Sequence, residues 1–335
     1  MYSIVIVTAT FNPHIPTFYR MLESVKCQKY NGTITHLVLD GGSTNGAVAL
    51  AKKYGCQVKI FTNDKDEGLS RYHRCLRDIQ GEISIILESD NILPSKNWMA
   101  QIIEPFEDPD IFASYPAYNT STKDMDILTR YTALIGSPDP TLYYLGKSDK
   151  IPVFQKNYNK GELLKETQNY YKIRFTKNTL PTVGDNGFAL RSNIFRGLIE
   201  KNRVFFHTDV FSKIIAKGHN TYGVTKNAII HMSKPGILDQ VARRVEVKEH
   251  FTDGMKEKRT YLVYDSHSRK DRRNLLLFIL YSLTVIQPLI FSIRGFMCIP
   301  EPAWFLHPVM CILMVFGYGF SEIKHFTRNI VCQKN

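Results

Sequence analysis

The sequence lacks several patterns that would mark common functions. Its six cysteines include no Cys-x-x-Cys pair, which argues against a structural zinc site. No Gly-x-Gly-x-x-Gly segment follows the first hydrophobic strand, which argues against a nicotinamide dehydrogenase. The apolar run at residues 3–8 is short and no basic residue precedes it, so we expect no cleavable signal peptide and a cytoplasmic N-terminal domain.

Positive charge is unevenly placed along the chain, whose net charge is +12. A nucleic-acid footprint would be spread over the folded domain, so we expect no nucleic-acid partner. A dense cluster instead precedes the first of two long apolar runs. This placement favours membrane lipids, toward which each basic group contributes about 1 kcal/mol at an anionic leaflet. The cluster comprises Lys256, Lys258, Arg259, Arg269, Lys270, Arg272 and Arg273.

Two apolar runs lie near the C-terminus. Residues 274–293 contain no charged side chain, and residues 302–321 contain only the titratable His307. Each run has about the length that spans a bilayer. The two runs predict a transmembrane hairpin over 274–321 in the inner membrane of the cell. Basic residues before the first run and after the second predict that both ends of the hairpin, with the tail over 322–335, are cytoplasmic. The alternative is a pair of buried core helices, but such helices rarely lack a polar face.

Strand-like and helix-like segments alternate through the first hundred residues. The pattern predicts an α/β fold with a doubly wound, mostly parallel sheet, in which ligands bind at the carboxyl ends of the strands. We assign residues 1–240 to this domain, with an acceptor-side region of short helices and loops at about 114–181, and residues 241–273 to a basic juxtamembrane segment. The predicted strands cover 3–8, 34–39, 57–61 and 83–87, and the helices 16–28, 45–54, 69–79 and 98–106.

Polar clusters follow the predicted strands. Asn12 follows the first strand, Asp40-Gly41-Gly42-Ser43 the second and Glu88-Ser89-Asp90-Asn91 the fourth. A carboxylate beside a glycine turn can accept hydrogen bonds from a nucleobase or a ribose, although Asp-Gly is also a common turn. Two carboxylates spaced i, i+2 can converge on a divalent cation that neutralises a diphosphate, although a solvated strand end would have the same composition.

Three further positions have two interpretations each. The Lys65-Asp66-Glu67-Gly68 cluster follows the third strand, where a ligand contact or a charged surface turn would fit. Asp209 opens a helix behind Thr208, as a helix cap or as a general base on a cleft edge. His231 ends an apolar strand, where a lone histidine is more often structural.

Taken in order, these segments resemble the inverting glycosyltransferases of family 2, which have the GT-A fold. The resemblance is carried by the first strand with its Thr-x-Asn end, by a segment similar to the branch with Asp-Gly-Gly-Ser-Thr-Asp-Gly, by an Asp-x-Gly helix start, by the metal-binding strand end and by the segment of the catalytic aspartate. In this sequence those segments are residues 3–12, 34–46, 66–68, 81–91 and 208–218.

The resemblance implies a membrane-associated hexosyltransferase in cell-surface polysaccharide synthesis. It implies that Asp209 deprotonates the acceptor hydroxyl, which attacks the anomeric carbon with inversion. It also implies Mg²⁺ or Mn²⁺ at Asp90, with Glu88 and His231. The hairpin suggests a lipid-linked or other membrane-delivered glycan acceptor. The residues implied to bind the nucleotide-sugar donor are Thr8, Asn12, Asp40, Asp66, Glu88 and Ser89.

The sequence departs from the family pattern at the metal motif. Glu88 stands where Asp or Asn is usual, and Asn91 stands where Asp is usual. Arg74 and the pair His207-Thr208 also differ from the family's usual residues. The departures at Glu88 and Asn91 motivate a second hypothesis, in which the chain is a catalytically weak or inactive membrane scaffold of glycan-assembly machinery.

Overall fold

The computed structural model describes residues 1–61, 79–198, 207–233, 236–253 and 259–332. The Asp66 cluster, and the helix predicted at 69–79 apart from Ile79, lie outside these described residues. The chain divides into two units by its internal contacts. The sheet unit comprises Met1–Thr120 and Asn157–Met232, and the helical unit comprises Ser121–Lys156 and Ser233–Asn335.

A single mixed sheet organises the described part of the sheet unit. Its strand order is β3-β2-β1-β4-β9-β6-β10-β8-β7, and β5 pairs with β10. The strands are β1 (Ile4–Thr10), β2 (Ile34–Asp40), β3 (Gln57–Ile60), β4 (Ile83–Ile86), β5 (Asn91–Ile92), β6 (Ala113–Asn119), β7 (Glu162–Glu166), β8 (Tyr170–Arg174), β9 (Phe188–Arg191) and β10 (Thr221–His231).

The helices of both units are numbered in chain order. They are α1 (Ile15–Lys26), α2 (Ala47–Lys53), α3 (Trp98–Ile103), α4 (Ile127–Ile135), α5 (Pro140–Leu145), α6 (Ser192–Leu198), α7 (His207–Ala216), α8 (Ile237–Val247), α9 (Arg269–Thr284), α10 (Ile286–Cys298) and α11 (Leu306–Cys332). Short 3-10 helices cover Glu104–Glu107 and Pro302–Phe305, and a π-helical turn covers Lys248–Asp253.

The N-terminal half of the sheet is parallel, as the sequence predicts. β1 pairs in parallel with β2 on one side and β4 on the other, and β3 pairs in parallel with β2. Every residue of β1 and of β4 is buried, which is why both strands are mostly apolar. α1 buries Phe18, Met21, Leu22 and Val25 in the core cluster that also holds Ile4 and Ile6. The α/β prediction is confirmed for this half.

The middle of the chain contains more strand than the sequence predicts. The region assigned to short helices and loops, about 114–181, includes β6, β7 and β8. β9, β8 and β7 run antiparallel to their neighbours, which makes the sheet mixed. β6 escapes a strand pattern because Pro116 interrupts it, and the β6–β10 register shifts beside this residue.

The helical unit also differs from the predicted division at residue 240. Residues 121–156 belong with the C-terminal helices rather than with the sheet. The reason is a shared apolar core, in which Tyr131 of α4 lies with Phe278, Phe291 and Trp304 from the C-terminal segments. All four of these aromatic side chains are buried.

The first C-terminal apolar run is not one straight helix. Within the described residues, one helix is long and apolar enough to cross a membrane, over Pro302–Thr327. α9 and α10 meet that criterion only when taken together across a bend of 82°. Val285 joins them with a left-handed φ of 63°. Pro288 explains the break, because proline has no N–H and its ring clashes with the carbonyl four residues earlier, at Thr284.

A buried histidine in the sheet predicts a pH dependence of folding. Burial lowers the pKa of His36 to about 4, against about 6.5 in an unfolded chain. Between these values the unfolded chain binds a proton that the folded chain does not. The free energy of unfolding should therefore fall, by up to roughly 3 kcal/mol, as the pH drops through this window, with no contribution above about pH 6.5.

Urea unfolding across this pH range measures the effect. His36→Gln should flatten the pH dependence because glutamine does not titrate. The control is His14→Gln, at an exposed histidine, which should keep the slope of the unmodified protein. An unchanged slope in His36→Gln would show that His36 is not held neutral by burial.

Candidate active site

The carboxyl ends of β1 and β2 are tied together by side-chain hydrogen bonds. Thr10 pairs with Asp40 in the parallel register, so the segments that follow both strands start side by side. The Asn12 backbone N–H donates to Ser43 Oγ at 2.8 Å, and Asn12 Oδ1 accepts from the Thr44 N–H at 2.9 Å. Asn12 has a left-handed φ of 43°, a conformation that asparagine tolerates better than most residues. The structure therefore places Asn12 beside the Asp40 turn.

The Asp40 carboxylate is fully buried and only partly satisfied. Its Oδ1 accepts from the Gly42 N–H at 2.8 Å and from the Ser43 N–H at 2.7 Å. Its Oδ2 is also buried and has no hydrogen-bond partner within the described part of the chain. A buried acceptor left unsatisfied costs about 1–3 kcal/mol, more when charged. Such an atom calls for a donor that the described residues do not supply, either a water molecule or a ligand group.

Thr8 is the exception among the predicted donor-binding residues on β1 and β2. Its side chain is fully buried, and its Oγ1 lies 3.0 Å from His36 Nε2 on the neighbouring strand. The hydroxyl is thus used inside the sheet. The structure does not bring the Thr8 side chain to the strand ends where Asn12 and Asp40 lie.

Asp90 and His231 come together at the end of β4. β5 pairs antiparallel with the last residues of β10, which sets His231 opposite Asn91. The Met232 N–H donates to the Asp90 carbonyl at 3.0 Å, and His231 Nε2 lies 3.6 Å from Asp90 Oδ2. The His231 side chain is 20% exposed and the Asp90 side chain is 43% exposed.

This pair has the chemistry of a partial metal site. Among the described residues no group of three or more His, Cys, Asp or Glu side chains could hold a metal ion. Glu88 therefore does not join Asp90 and His231 in such a group. A carboxylate and an imidazole do suit Mn²⁺ or Mg²⁺ when phosphate oxygens and waters complete the coordination. The residues present fit a metal that arrives with a diphosphate.

Asn91 holds the Asp90 turn in place. Its side chain is fully buried, and its Oδ1 accepts from the Glu88 N–H at 3.0 Å. Its Nδ2 donates to Asp90 Oδ1 at 3.2 Å and to Asn186 Oδ1 at 2.9 Å. An aspartate could not make these two donations, because an ionised carboxylate only accepts. The departure from the family's motif at this position is thus a structural adaptation.

The loop that carries Asn186 is a part of the site that the sequence did not reveal. Asn186 has a left-handed φ of 49°, and the Gly187 N–H donates to the Ile86 carbonyl of β4 at 2.9 Å. A side chain at Gly187 would collide with Trp98, since its Cβ would lie 2.9 Å from that ring. The residues Gly184-Asp185-Asn186-Gly187 are typical of a turn, which was the available signal.

The same loop contacts the helix that carries Asp209. A Cβ at Gly184 would lie 2.5 Å from His207 and 2.4 Å from Phe211, so α7 packs directly on the loop. Asp209 lies in the first turn of α7 and is 7% exposed. The loop therefore connects the Asp90 turn, through Asn186, with the start of α7.

Ser89 and Glu88 are half-buried in the Asp90 turn.

A match to the sequence model of a known family identifies the family of this chain. Residues 5–195 of the 335 match the model of glycosyl transferase family 2. The chain belongs to this family. It is a glycosyltransferase, and its sheet with polar strand ends is the GT-A type. No curated protein sequence matches the glycosyltransferase significantly.

A mannosyltransferase of known structure shares the fold at low sequence identity, and a second solved glycosyltransferase is also similar. A mannosyltransferase from Pyrobaculum calidifontis, in complex with GDP-Man and Mn²⁺, is 12% identical with a TM-score of 0.51. The match covers 94% of this chain and 86% of the mannosyltransferase chain. A glucosyl-3-phosphoglycerate synthase from Mycobacterium tuberculosis, in complex with phosphoglyceric acid, is 16% identical with a TM-score of 0.46, covering 76% and 80%.

The amide of Asn91 leads to a stability prediction for the glycosyltransferase. Asn91→Asp removes both donations and sets a second carboxylate against Asp90. We expect the free energy of unfolding at neutral pH to fall by about 1–3 kcal/mol or more. Urea unfolding measures the change. Asn97→Asp is the matched control, because Asn97 is exposed and its side chain makes no cap hydrogen bond. Equal effects of the two substitutions would contradict the assigned role of Asn91.

Proposed function

We propose that this glycosyltransferase transfers a hexose from a nucleotide-sugar donor to an acceptor hydroxyl, with inversion at the anomeric carbon. The observation that carries the proposal is the buried Asp40 carboxylate, whose Oδ2 has no partner among the described residues. A ribose hydroxyl or a nucleobase N–H supplies the missing donor. Charge-assisted hydrogen bonds of this kind are about twice as strong as neutral ones.

The spacing of the strand ends supports the rest of the donor site. Asp40 ends β2 and Asp90 lies shortly after β4, and these two strands lie on either side of β1. Neighbouring strands are about 4.8 Å apart, so the two ends are separated by about 10 Å. A nucleoside bound at Asp40 can therefore extend its diphosphate toward Asp90 and His231. The mannosyltransferase of similar fold was solved with GDP-Man and Mn²⁺, which supports this donor class.

Asp90 and His231 would hold the Mg²⁺ or Mn²⁺, and Asn91 would keep the Asp90 carboxylate oriented. A divalent ion in this position neutralises the charge that develops on the diphosphate leaving group. The hydrogen bonds of Asn12 to Ser43 and Thr44 hold the segment after β1 against the Asp40 turn, on the nucleoside side of the proposed site.

Asp209 is the proposed general base. Its side chain lies in the first turn of α7 and is 7% exposed. The Asp209 carboxylate takes the proton from the acceptor hydroxyl as the oxygen attacks the anomeric carbon opposite the diphosphate. A single displacement of this kind inverts the configuration at that carbon.

We further propose that the acceptor is lipid-linked or otherwise delivered at a membrane, as in cell-surface glycan synthesis. The support is the apolar surface of the C-terminal helices, where large hydrophobic side chains such as Leu276, Phe316 and Phe320 are more than half exposed. The scaffold hypothesis was motivated by the departures from the metal motif at Glu88 and Asn91. The hydrogen bonds of Asn91 account for the second of these departures, which weakens that hypothesis.

The function is tested by substitution of the proposed base. Release of nucleoside diphosphate from a panel of nucleotide sugars, with Mn²⁺ and a membrane extract as acceptor, measures turnover. Asp209→Asn should reduce kcat by about 10²–10⁴-fold, because an amide cannot accept the proton, and should leave donor affinity nearly unchanged.

Asp239→Asn is the matched control for this experiment. Asp239 is exposed and occupies the first turn of α8, so it tests the general effect of removing a carboxylate from a helix start. This control should retain full turnover. Donor binding without any turnover in the unmodified protein would favour a scaffold, and equal losses of donor affinity and kcat in Asp209→Asn would indicate a capping role.

A further inference from the structure

α11 has two sharply different faces. Val309, Phe316, Phe320 and Ile323 are each more than 40% exposed. At about 100° per residue these four positions fall within a stripe of about 60° on the helix surface. An exposed apolar stripe of this kind marks an interaction surface.

The opposite face of α11 is bound to the rest of the helical unit along its length. His307 Nδ1 lies 3.0 Å from the Tyr131 hydroxyl, and His307 Nε2 lies 3.0 Å from the Tyr144 hydroxyl. Further along, Ser321 Oγ donates to Glu249 at 2.7 Å. These contacts are 14 residues apart on α11, which corresponds to about 21 Å of helix. α11 therefore lies along α4, α5 and the segment after α8 rather than leaving them.

The turn before α11 is also attached to the helical unit. Arg130 of α4 forms an ion pair with Glu301 at 2.9 Å. The buried Trp304 packs its ring 5.5 Å from that of Phe154. In a hairpin that spans the membrane, this turn would lie on the opposite side of the bilayer from the two ends of the hairpin. The ion pair with Arg130 and the packing against Phe154, both within the helical unit, argue against that position.

The preceding helices are too short to span a bilayer. α10 has 13 residues, or about 20 Å of helix, whereas the hydrocarbon core is about 30 Å thick. The bend of 82° prevents α9 from extending it. Each helix nevertheless exposes an apolar stripe with helical spacing, formed by Leu276, Leu280 and Leu283 on α9 and by Ile286, Ile290 and Ile293 on α10.

Basic side chains adjoin the apolar stripe at the start of α9. An open groove of about 550 Å³ is lined, within the described residues, by Arg269, Arg272, Arg273, Leu276, Leu277 and Leu280. Guanidinium groups suit lipid phosphates, and the leucines that follow suit acyl chains. The charge and the apolar surface together match an anionic phospholipid leaflet.

We propose that the helical unit inserts into one leaflet of an anionic membrane without crossing it, with lipid phosphates bound at Arg269, Arg272 and Arg273. This attachment replaces the spanning hairpin that the sequence suggests. The proposal rests on the membrane location that is part of the proposed function, but it does not depend on which sugar is transferred. The exposed stripes of α9, α10 and α11 form the embedded surface, and the turn at Glu301 stays on the same side of the membrane as the start of α9.

Cysteine labelling tests the sidedness directly. Lys270→Cys and Pro300→Cys are introduced singly into a full-length protein in which Cys27, Cys75, Cys298 and Cys332 are serine and the buried Cys56 and Cys311 remain. Sealed membrane vesicles of each orientation are treated with a membrane-impermeant maleimide. Both cysteines should react in the same vesicle orientation. Reaction from opposite sides would establish a spanning hairpin and overturn the proposal.

Two controls make every outcome decisive. Each variant is also labelled in detergent, and a Pro300→Cys protein that reacts only there has its turn inside the bilayer, which contradicts the proposal. Flotation in high salt checks the membrane location itself. A full-length protein that washes off, or is a soluble oligomer, would refute the membrane location while leaving the Asp209 experiment unaffected.

The phosphate groove has its own test. The full-length protein is distributed between phosphatidylcholine vesicles and vesicles that also contain phosphatidylglycerol, and the two populations are separated by density. Arg272→Gln should reduce the preference for the anionic vesicles about fivefold. Arg243→Gln removes one positive charge from an exposed position on α8 and should leave the preference nearly unchanged. Equal losses would show a general charge effect and overturn the groove assignment.

Discussion

The parallel pairing of β1 with β2 and β4 is the constraint on which the candidate site depends. Buried parallel strands accept few polar side chains along their length, because both faces are covered. The polar residues therefore emerge together where the strands end. The register that pairs Thr10 with Asp40 brings Asn12 to the Asp40 turn, and the β1–β4 pairing brings the Asp90 turn to the same edge of the sheet.

Two buried polar side chains then give this edge its shape. Asp40 is held by backbone N–H groups on one oxygen, and its other oxygen has no partner among the described residues. Asn91 uses its whole amide to fix Glu88, Asp90 and the Asn186 loop. Both side chains are held by hydrogen bonds from the protein itself, which fix the geometry of this edge of the sheet.

The sequence predicted the parts that depend on local patterns. β1 and β4 are mostly apolar and fully buried, β2 is apolar over residues 37–39, and the residues that end these strands are chemically distinctive. The Asn186 loop was missed because its role depends on a hydrogen bond to Asn91, 95 positions away. β7 and β8 were missed because their sequences are polar and their register shifts, and the break between α9 and α10 required attention to Pro288.

The central claim is that Asp40 Oδ2 accepts a hydrogen bond from the nucleotide. Calorimetric titration of UDP and GDP into the unmodified protein and Asp40→Asn, with Mn²⁺ present, tests it most directly. Asparagine can keep the oxygen that accepts from Gly42 and Ser43 and present an NH₂ group in place of Oδ2. The account predicts a loss of affinity of about 10–100-fold with little change in thermal stability. Unchanged affinity in a folded Asp40→Asn protein would contradict it.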